Sequence, residues 1–127
     1  MVSPGAPGQP VLATFAVQDT AKINSYLRMP EVRSLLPNDQ RYTKFVWGLS
    51  EYNEELEEEL TSLYALRVEN RDAEPPLGGG VVVDAQQSFD QVGRVVVDMQ
   101  MNGVGARIWE DMTGKAYNNQ SQIAIVL

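Results

Sequence analysis

A segment rich in proline and glycine, NRDAEPPLGGG at residues 70–80, constrains the fold of this chain more than any other feature. Its two prolines and three glycines interrupt helices and strands and are typical of a hinge. The 127 residues, of which 43% are hydrophobic, are enough to bury one core of ordinary size. We therefore expect one domain, or two small lobes that share a seam.

The residues that follow this segment have the pattern of two paired strands. The runs VVVDAQQSF (81–89) and GRVVVDMQM (93–101) are rich in β-branched residues, and Asp90-Gln91-Val92 between them predicts a hairpin. In the second run the residues Val95, Val97, Met99 and Met101 face one way, and Val96, Asp98 and Gln100 face the other.

A helix is predicted to follow the hairpin. Asn102 is a favourable N-cap residue, and Gly114 is suited to the position just after a helix. Val104, Ile108 and Met112 repeat at helical spacing and are expected to share a face.

The chain is then predicted to end in a strand. Residues 115–121 are expected to form a polar loop, and QIAIVL (122–127) a buried strand. This apolar end indicates either a docked final strand or an excerpt of a longer chain. The order β-β-α-β predicts an α+β fold with a ferredoxin-like arrangement, in which one helix packs across a sheet.

The N-terminal half shows a strand–helix–strand pattern. Residues 1–10 alternate proline and glycine and are predicted to be a linker, whereas VLATFAV (11–17) is predicted to be a strand. Asp19 or Thr20 can begin a helix, and Pro30 suits the first position of a second, shorter helix. The first helix has Ile23, Tyr26 and Leu27 on one face, and the second is expected to turn Val32, Leu35 and Leu36 inward.

Two further strands are predicted at RYTKFVWG (41–48) and LTSLYALRV (60–68). Between them, EYNEELEEEL (51–60) carries six glutamates. Several of these are spaced i,i+3 or i,i+4, where like charges cost a helix about 0.2–0.5 kcal/mol per pair. We therefore predict a mobile acidic connector there, with or without a turn of helix.

The net charge is −7, and the glutamate-rich stretch supplies most of it. An excess of acidic residues disfavours nucleic acid as a partner, because the affinity of a protein for nucleic acid comes largely from Lys and Arg side chains that contact phosphates. No apolar run reaches the roughly 18 residues of a membrane span, so this stretch of chain by itself is expected to be soluble. The start, MVSPGAPGQP, lacks the basic and apolar regions of a signal peptide.

The sequence contains no cysteine and no histidine. This excludes disulfides, zinc fingers, thiol nucleophiles and Ser-His-Asp triads. Gly103-Val104-Gly105 lacks the third glycine of a dinucleotide-binding fingerprint and instead indicates tight packing of a helix on a strand. Gly78-Gly79-Gly80 lacks the Gly-Lys-Ser/Thr of a phosphate-binding loop. We predict no catalytic, cofactor-binding or metal-binding residues, and no cofactor.

Some residues keep two interpretations open. Glu110-Asp111 and the acidic stretch could in principle serve acid–base chemistry or hold calcium, although solvated surface charge explains both. Methionines could form an adaptable surface for diverse peptides, although core packing explains their spacing as well. Packing and partner contact are both open for Met99, Met101, Met112, Trp47 and Trp109.

Several stretches of the second half resemble the periplasmic domain of the SecD and SecDF family, an accessory of the Sec translocon. They are FDQVGRVVV (89–97), NGVGARIW (102–109) with MTG (112–114), QIAIVL (122–127), and LTSLYALRV (60–68) with LGG (77–79). Val95 stands where the family commonly has proline, and residues 118–121 lack a glycine that is common there. Residues 11–59 match less well and resemble the variable head of Bacteroidetes-type members.

The resemblance implies an organisation and a function. Residues 1–10 would be a linker or an added terminal tail, 11–59 a head lobe, and 60–127 a base lobe truncated at its C-terminal end. The chain would be a non-enzymatic domain at the periplasmic face of the bacterial inner membrane, within a membrane-embedded protein. Its partners would be unfolded preprotein, the Sec translocon channel and accessory subunits, and it would assist export driven by the proton gradient.

Two other functions remain open at this point. A small carboxylate-based ligand-binding or hydrolase domain, unrelated to secretion, would need a concave pocket in which acids converge. A structural spacer that docks to a membrane partner would need neither a pocket nor a surface for preprotein.

Overall fold

The computed structural model describes residues 1–68, 71–72 and 74–126. The chain divides into two compact units, Met1–Glu74 and Pro75–Leu127. The division falls inside the proline- and glycine-rich segment 70–80. Helices and antiparallel strands are both present, which confirms the predicted α+β class.

Most of the regular elements lie in the N-terminal unit. Those of the N-terminal unit are β1 (Ser3–Pro4), β2 (Val11–Ala16), α1 (Thr20–Leu27), α2 (Pro30–Arg33), β3 (Lys44–Trp47), β4 (Glu51–Asn53) and β5 (Glu58–Leu66). Those of the C-terminal unit are β6 (Val82–Phe89), β7 (Val95–Met101) and α3 (Gly103–Asn119). Single 3-10 turns lie at Val17–Asp19, Asn38–Gln40 and Gly79–Val81.

The N-terminal unit is an antiparallel sheet with α1 packed against one face. Its order is β1-β2-β5-β3, and β4 pairs with β5 as well. The core consists of buried side chains from β2 and β5 and half-buried ones from α1 and β3. They are Ala13, Phe15 and Leu63, packed against Ile23, Leu27, Phe45 and Trp47.

The predicted inward face of the second helix is only partly observed. Pro30 occupies the first position of α2, as predicted. Val32 and Leu36 are half-buried, but Leu35 is 82% exposed, so its predicted inward position is wrong. The physical reason is that α2 ends at Arg33, and helical spacing no longer fixes the direction of a side chain beyond that end.

Part of the stretch predicted as a linker, residues 1–10, is structured. The Val2 N–H donates to the Thr14 carbonyl at 2.8 Å, and the Gly5 N–H donates to the Leu12 carbonyl at 2.8 Å. These bonds attach β1 to the edge of β2. An edge position tolerates Pro4, because proline has no N–H to give to a strand on its outer side.

The acidic stretch is not the mobile connector that its charges predict. It forms the β4–β5 hairpin, in which Tyr52 lies opposite Glu59. The Asn53 Oδ1 accepts a hydrogen bond of 2.9 Å from the Leu56 N–H, which fixes the turn. Glu57 closes the turn in the left-handed region, with φ of 52°.

The predicted boundary between lobes does not coincide with the two units. The sequence assigns residues from 60 onward to the second lobe, but β5 forms ladders with β2, β3 and β4, all in the first unit. Where the family's head and base lie within these units stays a prediction.

The hairpin and the helix cap of the C-terminal unit confirm the sequence analysis. β6 and β7 pair in antiparallel register from Phe89 opposite Val95 to Val82 opposite Met101. The Asn102 Oδ1 accepts a hydrogen bond of 2.9 Å from the Gly105 N–H, which makes Asn102 the N-cap of α3. The cap satisfies one of the N–H groups that a helix start leaves unpaired.

The end of α3 and the last strand differ from the prediction. Gly114 does not end the helix, which continues to Asn119 and is closed by Gln120 with φ of 51°. Residues 122–126 pair with no strand in the part of the chain described, and Leu127 lies outside that part. The observed order is therefore β-β-α, because β-type residues form a strand only where a partner edge is aligned with them.

Candidate interaction surface

The described residues bring no acids together in a way that suggests chemistry. None of them forms a group of three or more Asp and Glu able to hold a metal ion. Glu110 and Asp111 are exposed on α3, and the Asp111 carboxylate pairs with the Lys115 Nζ at 2.8 Å. The acids of the β4–β5 hairpin are spread along two strands and a turn. That no residue is catalytic, cofactor-binding or metal-binding stays a prediction.

The most distinctive surface is one face of the β6–β7 hairpin. In an antiparallel pair, residues directly opposite one another lie on the same face. The register therefore places an apolar set together, hereafter the hairpin face, and a largely polar set behind it. The hairpin face consists of Ala85, Phe89, Val95, Val97 and Met99, with Gln87 as its polar member.

The hairpin face is largely uncovered. Phe89, Val95 and Val97 are 65%, 63% and 64% exposed, although burial of such side chains is worth about 1.5–3 kcal/mol each. A row of exposed apolar side chains on a strand pair is what a docking surface requires, whereas single exposed ones are common on any protein.

Helix α3 covers only one end of this face. Its N-terminal part lies against the end of β7, where Ala106 and Trp109 join Met99 and Met101 in lining a shallow groove of about 330 Å³. Met99 and Met101 thus line an open groove, while Met112 is half-buried on α3. Methionine side chains adapt to apolar partners of different shapes, so this end suits varied contacts.

The edges of the hairpin are also open. β6 and β7 form a two-stranded sheet, so within the described residues each strand has one side without a partner strand. Such an edge presents unpaired N–H and C=O groups that can hydrogen-bond to an added strand. The back of the hairpin is polar, with Gln86 opposite Asp98 and Asp84 opposite Gln100.

The turn of the hairpin is held by Asp90. Its carboxylate accepts hydrogen bonds from the Val92 N–H at 3.0 Å and the Arg94 N–H at 2.9 Å, and from the Arg94 Nε at 2.7 Å. The backbone bond from Arg94, followed by the guanidinium bond, lowers the pKa of Asp90 below its usual value of 3.8. The turn holds Val92, which is 74% exposed, at the tip of the hairpin.

The N-terminal unit has a groove of a different character. Asn24, Leu27, Arg28, Arg33 and Phe45 line about 370 Å³ between its helices and β3. Trp47 lies next to it in the core, edge-on to Phe15 with ring centroids 5.5 Å apart. Of the two tryptophans, Trp47 therefore packs inside, and Trp109 lines an open groove.

No helix in the described ranges is both long and apolar enough to cross a lipid bilayer. The fold and its surfaces define a small α+β module that offers faces and edges, rather than a deep cavity, to a partner.

This chain belongs to the SecDF family. The family model of the SecDF P1 head subdomain matches residues 56–127, which confirms the resemblance seen in the sequence. The resemblance had assigned most of that stretch to a base lobe, whereas the matching model is described as the head.

A curated relative supports the same membership. The chain is 38% identical to the protein translocase subunit SecD of Rhodothermus marinus, a member of the Bacteroidetes, over 139 aligned residues. The alignment covers 98% of this chain and 21% of that relative, so the chain spans about a fifth of the relative's length. No solved structure matches the chain.

The alternation of β7 is evident in the sequence, but the exposure of Phe89, Val92 and Val97 is not. The available signal was the number of apolar residues on both strands, which exceeds what one helix can cover. The groove beside Arg33 is not evident in the sequence either, because its lining residues come from three separate elements.

Proposed function

We propose that this chain is an extracytoplasmic domain of a Sec translocon accessory subunit, that it contacts unfolded preprotein, and that it assists export driven by the proton gradient. The single observation that carries the proposal is the uncovered hairpin face with open strand edges on both sides. Membership of the SecDF family and the relative's name, protein translocase subunit SecD, support the link to translocation.

The hairpin suits an unfolded chain better than a folded partner. An extended segment can add to a free strand edge through main-chain hydrogen bonds, which do not depend on sequence. Its apolar side chains would then lie beside Phe89, Val95 and Val97, or in the groove at Met99. Contacts of this kind are weak and broad, as export of many different preproteins requires.

The proposal assigns mechanical work to the domain and no chemistry. It places the domain at the periplasmic face of the inner membrane, next to the translocon channel and its other subunits. The proton-driven step would belong to other parts of a longer protein, since the exposed acids Glu110 and Asp111 offer no assembled site.

The test is a titration of the isolated chain with an unfolded secretory protein, followed by amide NMR shifts. We expect shifts at β6, β7 and the turn at Asp90, with dissociation constants in the micromolar range or weaker. Val97→Thr should reduce the affinity, because it adds a hydroxyl to the hairpin face while threonine retains the strand preference. Val104→Thr, an exposed valine of α3 outside that face, is the matched control.

A titration that shifts no residue of the hairpin at high micromolar concentration would contradict the proposal. Equal losses for Val97→Thr and Val104→Thr would also contradict it, because binding would then not depend on the hairpin face. Retained export in cells after both hairpin edges are blocked by proline would favour the structural spacer instead.

A further inference from the structure

The groove of the N-terminal unit carries positive charge in an acidic protein. Its five lining residues include two arginines and no acid, although the chain has a net charge of −7. In the described part of the chain neither Arg28 nor Arg33 forms an ion pair. No carboxylate of the described residues is therefore paired with either guanidinium.

Arg33 is held in place rather than free in solvent. Its Nη1 donates to the Thr43 carbonyl at 2.8 Å, and its Nη2 donates to the Arg41 carbonyl at 3.1 Å. The guanidinium carbon lies 5.8 Å from the centroid of the Phe45 ring. A guanidinium has five N–H donors, so these two contacts orient it and leave donors for a carboxylate.

Two further donors border the same space. Arg28 is exposed at the C-terminal cap of α1. The Asn24 Oδ1 accepts a hydrogen bond of 2.9 Å from the Trp47 Nε1, which fixes the amide with its NH₂ group as the remaining donor. Between these donors the groove is apolar, since Leu27 and Phe45 line it.

This arrangement matches a carboxylate next to an apolar side chain. A polypeptide is the occupant that fits best, because Phe45 belongs to β3, which is the last strand of the sheet order. Its outer edge pairs with no strand among the residues described, so a bound segment can hydrogen-bond to it as an added strand. The volume of about 370 Å³ is at the lower end of ordinary ligand sites.

We propose that the groove formed by Asn24, Leu27, Arg28, Arg33 and Phe45 binds an acidic segment of extended polypeptide. A glutamate or aspartate of that segment lies on the two arginines, and a neighbouring apolar side chain lies on Leu27 and Phe45. This site is on a different unit from the hairpin face, and the proposal does not rest on the function proposed above.

The probe is a short acetylated and amidated peptide with one glutamate between leucine and valine. Its counterpart has glutamine in place of the glutamate. Binding to the whole chain is measured by amide NMR shifts at low and at high salt. We expect shifts at β3 and at the C-terminal end of α1, weaker binding at high salt, and weaker binding of the glutamine peptide.

Variants locate the site. Arg33→Gln should weaken binding of the glutamate peptide about tenfold, as expected for loss of a charge-assisted hydrogen bond. Arg28→Gln should weaken it several-fold, and it serves as the decisive variant if Arg33→Gln fails to fold, because Arg28 makes no side-chain hydrogen bond to the described residues. Lys22→Gln removes the same charge from an exposed position of α1 outside the groove and should change the affinity less than about twofold.

Equal binding of the two peptides would overturn the proposal, as would equal effects of Arg28→Gln and Lys22→Gln. Two other occupants are distinguished by the same reagents. Binding to phosphatidylglycerol vesicles but not to the peptide would show a lipid surface. Self-association that Arg28→Gln abolishes, without peptide binding, would show that a second copy fills the groove.

Discussion

Gly105 of α3 lies directly against Val81 at the entry to the hairpin. A Cβ atom at position 105 would lie 2.8 Å from the Val81 Cβ and Cγ2 atoms and 3.2 Å from the Met101 Cβ. Such distances leave no room for any side chain. The close approach of helix to hairpin therefore depends on this glycine. The interpretation of Gly103-Val104-Gly105 as a packing motif is thus confirmed at Gly105 but wrong at Gly103, where an added Cβ atom would meet nothing within 4 Å.

Gly105→Ala should destabilise the protein by about 1–3 kcal/mol, because the added methyl forces the helix away from Val81. Gly114→Ala is the matched control, since it lies in the same helix with nothing within 4 Å of the added atom. It should stabilise the protein by up to about 1 kcal/mol through helix propensity. The free energy of unfolding in urea measures both, and equal effects of the two substitutions would show that the contact is unimportant.

The hydrogen bond between Trp47 and Asn24 joins β3 to α1 across the core. Asn24→Ala leaves the part-buried indole N–H without its partner and should cost about 1–3 kcal/mol. In a Trp47→Phe background the same substitution should cost about 1 kcal/mol less, because no indole N–H remains to be satisfied. Urea unfolding of the four proteins in this cycle gives the coupling energy, and additive effects would contradict it. Ser25→Ala, an exposed neighbour on α1, controls for helix effects.

The elements fixed by local chemistry could be predicted from the sequence. Alternating β-branched residues and a turn at Asp90 predict the β6–β7 hairpin, and Asn102 predicts the start of α3. Pro30 gave the start of α2. Each of these features depends on residues within a few positions, so the sequence carries the whole signal.

The β4–β5 hairpin could not be predicted from the spacing of its glutamates, because repulsion at i,i+3 and i,i+4 applies to a helix and not to a strand. Glutamates at i,i+4 repel on a helix, but in this hairpin each strand glutamate lies opposite an uncharged residue. The pairs are Glu51 with Leu60, Tyr52 with Glu59, and Asn53 with Glu58. The register, which the sequence does not reveal, therefore reduces the repulsion that argued against regular structure.

The length of α3 could not be predicted from the rule that a glycine follows the end of a helix. Gly114 costs the helix about 1 kcal/mol. Lys115 pairs with Asp111 one turn back at 2.8 Å, and an acid–base pair at this spacing offsets a part of that cost. A glycine within a helix therefore marks its end only where the next residues add nothing to it.

The candidate surfaces were predictable in composition but not in exposure. The alternation of Val95, Val97 and Met99 gave one apolar face, yet whether α3 covers that face depends on tertiary packing. The groove of the N-terminal unit combines Arg28 at the C-terminal cap of α1, Arg33 of α2 and Phe45 of β3. No local pattern connects residues that only the tertiary fold brings together.

The turn of the β6–β7 hairpin should loosen in acid. Hydrogen bonds from Arg94 lower the pKa of Asp90 in the folded state, so folding stabilises the ionised carboxylate. The resulting stability is present above the unfolded-state pKa and is lost as the pH falls through the lower folded-state pKa. Amide shifts of Val92 and Arg94 should therefore change in a single step below the usual value of 3.8.

Asp90→Asn should remove this step, because the neutral amide does not titrate. Asp98→Asn, on the polar back of the hairpin away from the turn, should leave it in place. A step that persists in Asp90→Asn would assign the titration to another group.

Glu57 adopts a backbone conformation that L-residues avoid, with φ of 52° at the end of the β4–β5 turn. The left-handed conformation costs an ordinary residue about 1–2 kcal/mol, and glycine adopts it without this penalty. Glu57→Gly should therefore raise the free energy of unfolding by up to about 1 kcal/mol, since the entropy of glycine in the unfolded chain offsets part of the gain.

Glu55→Gly removes the same charge from the same turn at a residue without positive φ, and it should leave stability unchanged or lower it. If both substitutions stabilised the protein equally in urea unfolding at low salt and had no effect at high salt, charge repulsion rather than backbone strain would be the cause.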